Sequence, residues 1–165
     1  MKICIPVFSQ GKNMELALKI QEALVSRKAT VEILDVVALD LPLYSMVAEK
    51  KFDPLELVKP FKDKLVCDAF VFVAPEYNGN TPPTFSNFLA WVSRSNKEWR
   101  DVFNEKNALI ATHSAGGGLN VLTSMRLQLA FLGMNVIGRQ VHTTLSKQLE
   151  TATVDAVCGQ LLKSI

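Results

Sequence analysis

Short apolar runs rich in β-branched and aromatic residues recur along this chain, with a helical pattern between each pair. Lys2 to Phe8, Thr30 to Val36, Ala69 to Ala74, Asn107 to Thr112 and Asn135 to Gln140 each read as a buried strand. Between the first two, Asn13 to Arg27 sets Leu16, Ala17, Ile20, Ala23 and Leu24 on one helical face. Thr84 to Arg94 aligns Phe85, Phe88, Leu89 and Val92, and the stretch after Gly118 aligns Leu122, Met125, Leu129 and Leu132. A last helix over Ser146 to Lys163 carries Val154, Val157, Cys158, Leu161 and Leu162. Leu39 to Phe52 reads as an irregular loop and Ser95 to Lys106 as a polar connection. A helix over Asp53 to Leu65 has Pro54 at a favourable first position and Pro60 as a kink or break. Strands alternating with helices predict βαβ units on a parallel sheet, hence a three-layer α/β/α sandwich. The expectation is one domain spanning residues 1–165, long enough to bury about two-thirds of its unfolded surface.

Several function classes fall away on charge and cysteine content. The net charge is +2 with no dense Lys/Arg stripe, so no nucleic-acid surface is expected. The apolar start, Ile3 to Phe8, is too short for a signal core, and no stretch approaches membrane-spanning length. Three cysteines, Cys4, Cys67 and Cys158, sit inside apolar runs without a CxxC pair or a histidine at ligand spacing. They read as buried free thiols, with no metal site, in a cytoplasmic protein.

In an open sheet of order 2-1-3-4-5, ligands bind beyond the carboxyl ends of the strands at the point where the winding reverses. The ends of strands 1, 3 and 4 would converge there, carrying Ser9 to Asn13, Pro75 to Asn80 and His113 to Gly118. Those segments are the richest in Gly, Asn and Ser. The first opens a helix, whose free amides suit an anion; Ser9 and Asn13 could add hydrogen bonds and Lys12 a charge. Asn13 as a helix cap and Gly11 as a turn explain that loop equally well. It has neither the GxxxxGK[ST] nor the GxGxxG pattern. Pro75, Glu76, Tyr77, Asn78 and Gly79 break a buried strand abruptly and form a rigid loop suited to a planar heterocycle; a tight turn with a buried tyrosine is the other reading. Ser114, Ala115 and Gly116 begin a glycine run whose amides could approach a ligand edge. His113 invites a general-base role, but no triad partner has a supporting context.

Pro75-Glu76-Tyr77-Asn78-Gly79 after a hydrophobic strand, followed by Asn87-Phe88-Leu89-Ala90-Trp91-Val92-Ser93-Arg94, resembles the NADPH-dependent FMN reductases. These are flavodoxin-like quinone, azo-dye and chromate reductases. Asp40-Leu41-Pro42-Leu43-Tyr44 and Ser114-Ala115-Gly116-Gly117-Gly118 extend the resemblance over about residues 1 to 140. It implies a flavodoxin-like three-layer α/β/α sandwich with a five-stranded parallel sheet, order 2-1-3-4-5. It also implies FMN as cofactor, NADPH or NADH as reductant, and quinones or similar small acceptors in a ping-pong cycle.

The same resemblance places Pro75, Glu76, Tyr77, Asn78 and Gly79 against the isoalloxazine, and Ser114, Ala115 and Gly116 at its pyrimidine edge. Ser9, Gln10, Lys12 and Asn13 fall at the phosphate, where the family pattern is close to G-S-x-R-x-x-S-x-N. Here the loop is shorter and has Lys12 in place of the arginine, a point charge rather than a bidentate fork. No acid–base residue is required, so none is assigned as catalytic. A homodimer or homotetramer is implied, with the Phe85–Val92 helix near the interface. The alternative is a flavodoxin-like protein with weak or no FMN binding, serving as an electron carrier or a regulatory or interaction module.

Overall fold

The structure, a computed structural model, describes residues 1–165. Its parallel sheet runs β2 (Thr30–Asp35), β1 (Lys2–Val7), β3 (Ala69–Val73), β4 (Asn107–His113), β5 (Asn135–Val136), with β6 (Val141–Thr143) also paired to β4. The order 2-1-3-4-5 is the one expected. The fifth strand differs: instead of running through Asn135–Gln140 it stops at Val136 and pairing resumes at Val141. Both pieces pair with β4, through Asn107↔Asn135 at one end and His113↔Thr143 at the other. The guanidinium of Arg126 fills the break, donating to the carbonyls of Val136 (3.1 Å) and Ile137 (3.0 Å) and to the side chain of Gln140 (3.2 Å). On the opposite edge, the carbonyls of Val31 and Ile33 in β2 accept from the side chains of Gln21 and Lys64.

Strand alternation sorts the side chains into two cores. Ile3, Ile5, Val7, Val71, Val73 and Leu109 pack against α1 (Lys12–Val25) and α7 (Thr151–Ser164). Cys4, Phe70, Phe72, Ala108 and Ile110 face α5 (Pro83–Arg94) and α6 (Leu119–Phe131). That second core is dominated by phenylalanine: the ring of Phe8 lies 4.7 Å from Phe85 and 5.7 Å from Phe88, centroid to centroid.

Local signals explain most helix boundaries, and some depart from expectation. A four-residue helix, α2 (Met46–Glu49), sits inside the segment read as irregular, capped by the hydroxyl of Ser45. Pro60 breaks the next helix into α3 (Pro54–Val58), a 3₁₀ turn (Lys59–Phe61) and α4 (Lys62–Leu65). A 3₁₀ turn (Trp99–Val102) also lies within the connection before β4. The last helix begins at Thr151 rather than Ser146. Thr144 draws the amide of Lys147 into a local turn (2.9 Å) that competes with helix.

The apolar breadth of α5 allowed either deep burial or pairing with another chain. The structure shows burial: Phe85, Phe88, Trp91 and Val92 are fully enclosed within this chain. Exposed apolar side chains lie on other helices, among them Leu18 and Val25 on α1 and Met46 and Val47 on α2; on α6, Leu119, Leu127 and Phe131 are exposed and spaced in multiples of four residues.

Candidate functional site

The carboxyl ends of β1, β3 and β4 carry the three expected loops, and specific bonds hold them together. Asn13, in the first turn of α1, is buried and reaches across to β4. Its Nδ2 donates to the His113 carbonyl (3.0 Å) and its Oδ1 accepts from the His113 amide (2.8 Å). Both polar ends are thereby engaged with main chain, and α1 has no side-chain cap. The hydroxyl of Thr84, at the start of α5, donates to the Phe8 carbonyl (3.0 Å) and ties the first loop to the segment after β3.

Within the first loop, the main-chain amides from Ser9 to Met14 have no acceptor in the protein. A helix start normally leaves four such donors; here the preceding loop adds more, and the helix dipole points the same way. Gly11 adopts φ +68, and nothing lies within 4 Å of where its Cβ would stand. Lys12 pairs with Glu15 (2.9 Å), so its charge is shared with a carboxylate at the surface. Gln10 turns its amide to Asp35 (3.1 Å).

The second loop is a tight reversal. Tyr77 and Asn80 exchange both main-chain hydrogen bonds (2.9 and 3.0 Å), and Asn78 and Gly79 between them have positive φ (+49 and +72). Two adjacent left-handed residues make the primed turn that asparagine–glycine favours. The amides of Asn78 and Gly79 are left without acceptors, and Tyr77 is half exposed rather than buried. Glu76 has a different task from its neighbours. Its Oε2 accepts from the amides of Asn120 (3.2 Å) and Val121 (3.3 Å) and so caps α6. One carboxylate thus fastens the β3 loop to the helix that follows the glycine run.

In the third loop, the Ser114 hydroxyl accepts from the Gly116 amide (3.3 Å), while the amides of Ala115, Gly117 and Gly118 have no acceptor. Gly118 is left-handed (φ +66) and opens α6. His113 is held by Thr143, 3.0 Å from its Nδ1. The Thr143 hydroxyl donates to the Thr112 carbonyl (3.2 Å), so its oxygen must accept from the imidazole, which fixes the proton on Nδ1. His113 therefore has a structural partner and no carboxylate or nucleophile in a triad arrangement.

Beside these loops, α5 carries a ladder that the sequence motif did not explain. Asn87 accepts from the Tyr44 amide (2.7 Å) and donates to the carbonyls of Leu41 and Pro42. Trp91 Nε1 donates to Pro42 (2.6 Å), and Arg94 pairs with Glu49 (2.8 Å). Arg94, and then the Tyr44 hydroxyl, hold the Glu49 carboxyl below its ordinary pKa. Positions 87, 91 and 94 share one helical face, so a single face straps down the segment after β2.

The fold and the amide-lined crevice define a doubly wound α/β protein of the flavodoxin-like class. Residues 7–148 match the model of the NADPH-dependent FMN reductase family, and the chain belongs to that family. It is 33% identical over 112 residues to an NADPH azoreductase from Bacillus sp. (strain OY1-2), covering 67% of this chain and 59% of the relative's length. Among solved structures it resembles FerB, a flavoenzyme NAD(P)H:(acceptor) oxidoreductase from Paracoccus denitrificans. That match has a TM-score of 0.76, 20% identity, and covers 99% of this chain and 98% of the other. It also resembles a flavodoxin variant from Pseudomonas aeruginosa, with a TM-score of 0.64 and 16% identity, covering 99% and 98% of the two chains. The family is one of FMN and NADPH, and the crevice fits such a group. The amides of Ser9–Met14 would suit an anion, and those of Asn78, Gly79, Ala115 and Gly117 the polar edge of a planar group.

Proposed function

We propose that this chain is an FMN-dependent NAD(P)H oxidoreductase acting on quinones, azo compounds or similar small acceptors. The observation that carries this reading is the convergence of the three loops' unpartnered amides on one end of the sheet. Bound FMN would supply the redox chemistry, taking reducing equivalents from NADPH or NADH and passing them to the acceptor in a ping-pong cycle. The protein's part is to hold and orient. The amides of Ser9 to Met14 receive the phosphate, with the Ser9 hydroxyl beside them. The Tyr77–Asn80 turn and the Ser114–Gly117 segment receive the ring, and Pro75 stiffens the approach. Glu76 and Asn13 hold these loops in register, and no side chain need exchange a proton.

Lys12 and Asn13 are engaged with Glu15 and His113, so the phosphate is held mainly by main chain. That favours modest FMN affinity as a second reading. Lys12→Ala should then weaken FMN by less than about fivefold, because an exposed charge is worth under about 1 kcal/mol. Flavin titration followed by fluorescence quenching, then NADPH oxidation with a quinone or azo acceptor, tests the proposal. Failure to bind FMN after reconstitution overturns it.

Three free cysteines suit a reducing compartment, and we place the protein in the cytoplasm. The exposed stripe Leu119, Leu127 and Phe131 supports a homodimer formed through α6.

A further inference from the structure

We propose that His142 is a positioning residue for the cofactor crevice, a floor on which the glycine loop and the start of α6 are set. This rests on the FMN reading above. His142 lies in β6 directly opposite Thr112 of β4. Two of its ring atoms, Cδ2 and Nε2, lie 2.9 Å from where a Cβ on Gly118 would stand, and Thr112 Cγ2 lies at 3.1 Å. Gly118 is thus glycine for two reasons: its φ of +66, and the imidazole beneath it.

The same place holds both of the chain's buried side-chain polar atoms that have no protein partner, His142 Nε2 and Thr112 Oγ1. Buried polar atoms in native proteins are almost always paired, so an orphan pair under a ligand-facing loop calls for a physical explanation. The turn of α6 above the ring is the one that Glu76 caps from the β3 loop. His142 therefore underlies the junction of two of the three loops.

A neutral ring suits this position. Burial, first, and the nearby Lys147 from the β6–α7 loop disfavour a charge, and Glu76 favours one. From α6 itself comes the positive end of the helix dipole, which also opposes an imidazolium. From β4, His113 is turned to Thr143. Protonation would put a cation beneath the amides that face the cofactor and draw on Glu76, the anion that caps α6. The glycine loop and the Tyr77–Asn80 turn would loosen together.

The experiment is FMN titration by fluorescence quenching from pH 5.5 to 7.5, on the wild type, His142→Gln and His113→Gln. The FMN phosphate itself titrates near pH 6, so the ratio of dissociation constants between variant and wild type is the quantity read. For His142→Gln that ratio should fall about fivefold or more on acidification, the lower end of a coupling between two sites. His113→Gln should track the wild type. The chain has two histidines, so the His142 resonance can be assigned by elimination. By linkage it should titrate at lower pH with FMN bound than without. This second measurement needs only His113→Gln for the assignment and no change at His142, and so decides the matter if His142→Gln fails to fold. A pH-independent ratio, or a His142 titration unmoved by FMN, overturns the inference and leaves the FMN reading standing. No FMN binding at any pH overturns both.

Discussion

Asn13 bridges segments 100 residues apart, clamping the main chain of His113 from both sides. Replacing it with alanine removes two hydrogen bonds and strands two main-chain groups. Asn13→Ala should cost about 1–3 kcal/mol in denaturant unfolding. It should also weaken FMN by releasing the first loop from the third. Aspartate is no remedy: it can accept from the His113 amide but repels the carbonyl. Glu76 offers a parallel case, since alanine there uncaps α6 at about 0.5–2 kcal/mol. If Glu76 acts as an anchor between loops, Glu76→Gln should retain most of the FMN affinity that Glu76→Ala loses. Equal losses in the two variants would point instead to its charge. Both positions stood out in the sequence because of the loops they lie in, but their partners did not. A bond from residue 13 to residue 113 leaves no trace in periodicity or spacing.

The elements were more legible than the contacts between them. The two faces of the sheet and the three loops at its carboxyl end follow from apolar alternation and from where Gly, Asn and Ser gather, whereas the strand order comes from the family resemblance. The divided edge strand was missed because Val136 and Ile137 made Asn135 to Gln140 read as one strand and the three residues of Val141–Thr143 carry too little pattern, while Arg126, one element earlier, supplies the donors that hold the break open. The Met46–Glu49 helix was missed because four residues carry too little pattern. The strap on α5 shows the same limit: Asn87, Trp91 and Arg94 stood out as a motif, yet their partners at Leu41 to Glu49 emerge only in three dimensions. Its prediction belongs to the element. Asn87→Ala removes three bonds and should lower stability by about 1–3 kcal/mol, and limited proteolysis should cut faster between residues 41 and 49. Cleavage at the wild-type rate would mean that Trp91 and Arg94 suffice.

For the molecule as a whole, the thiols report on global opening. Burial pushes the Cys67 and Cys158 thiols up from about 9 to about 11, and drives Cys4 higher still, again by burial first. A thiol raised on folding stabilises fully below the unfolded value and loses that contribution as pH climbs toward the folded one. Stability should therefore decline from pH 9 to 11, and thiol labelling at pH 8 should await unfolding. Fast labelling of the folded protein would contradict this burial. Assembly is read at the same scale: if α6 forms the dimer, Phe131→Glu should reduce the mass seen by light scattering to that of a monomer, while FMN titration separately checks the crevice. The two sheet edges bear on how the chain meets other copies of itself. Side chains of Gln21 and Lys64 occupy carbonyls on one edge, and Arg126 occupies the gap on the other. A bare edge strand is a template for aggregation. With both rims already occupied, crowding should favour contacts between helices over the growth of cross-strand fibrils.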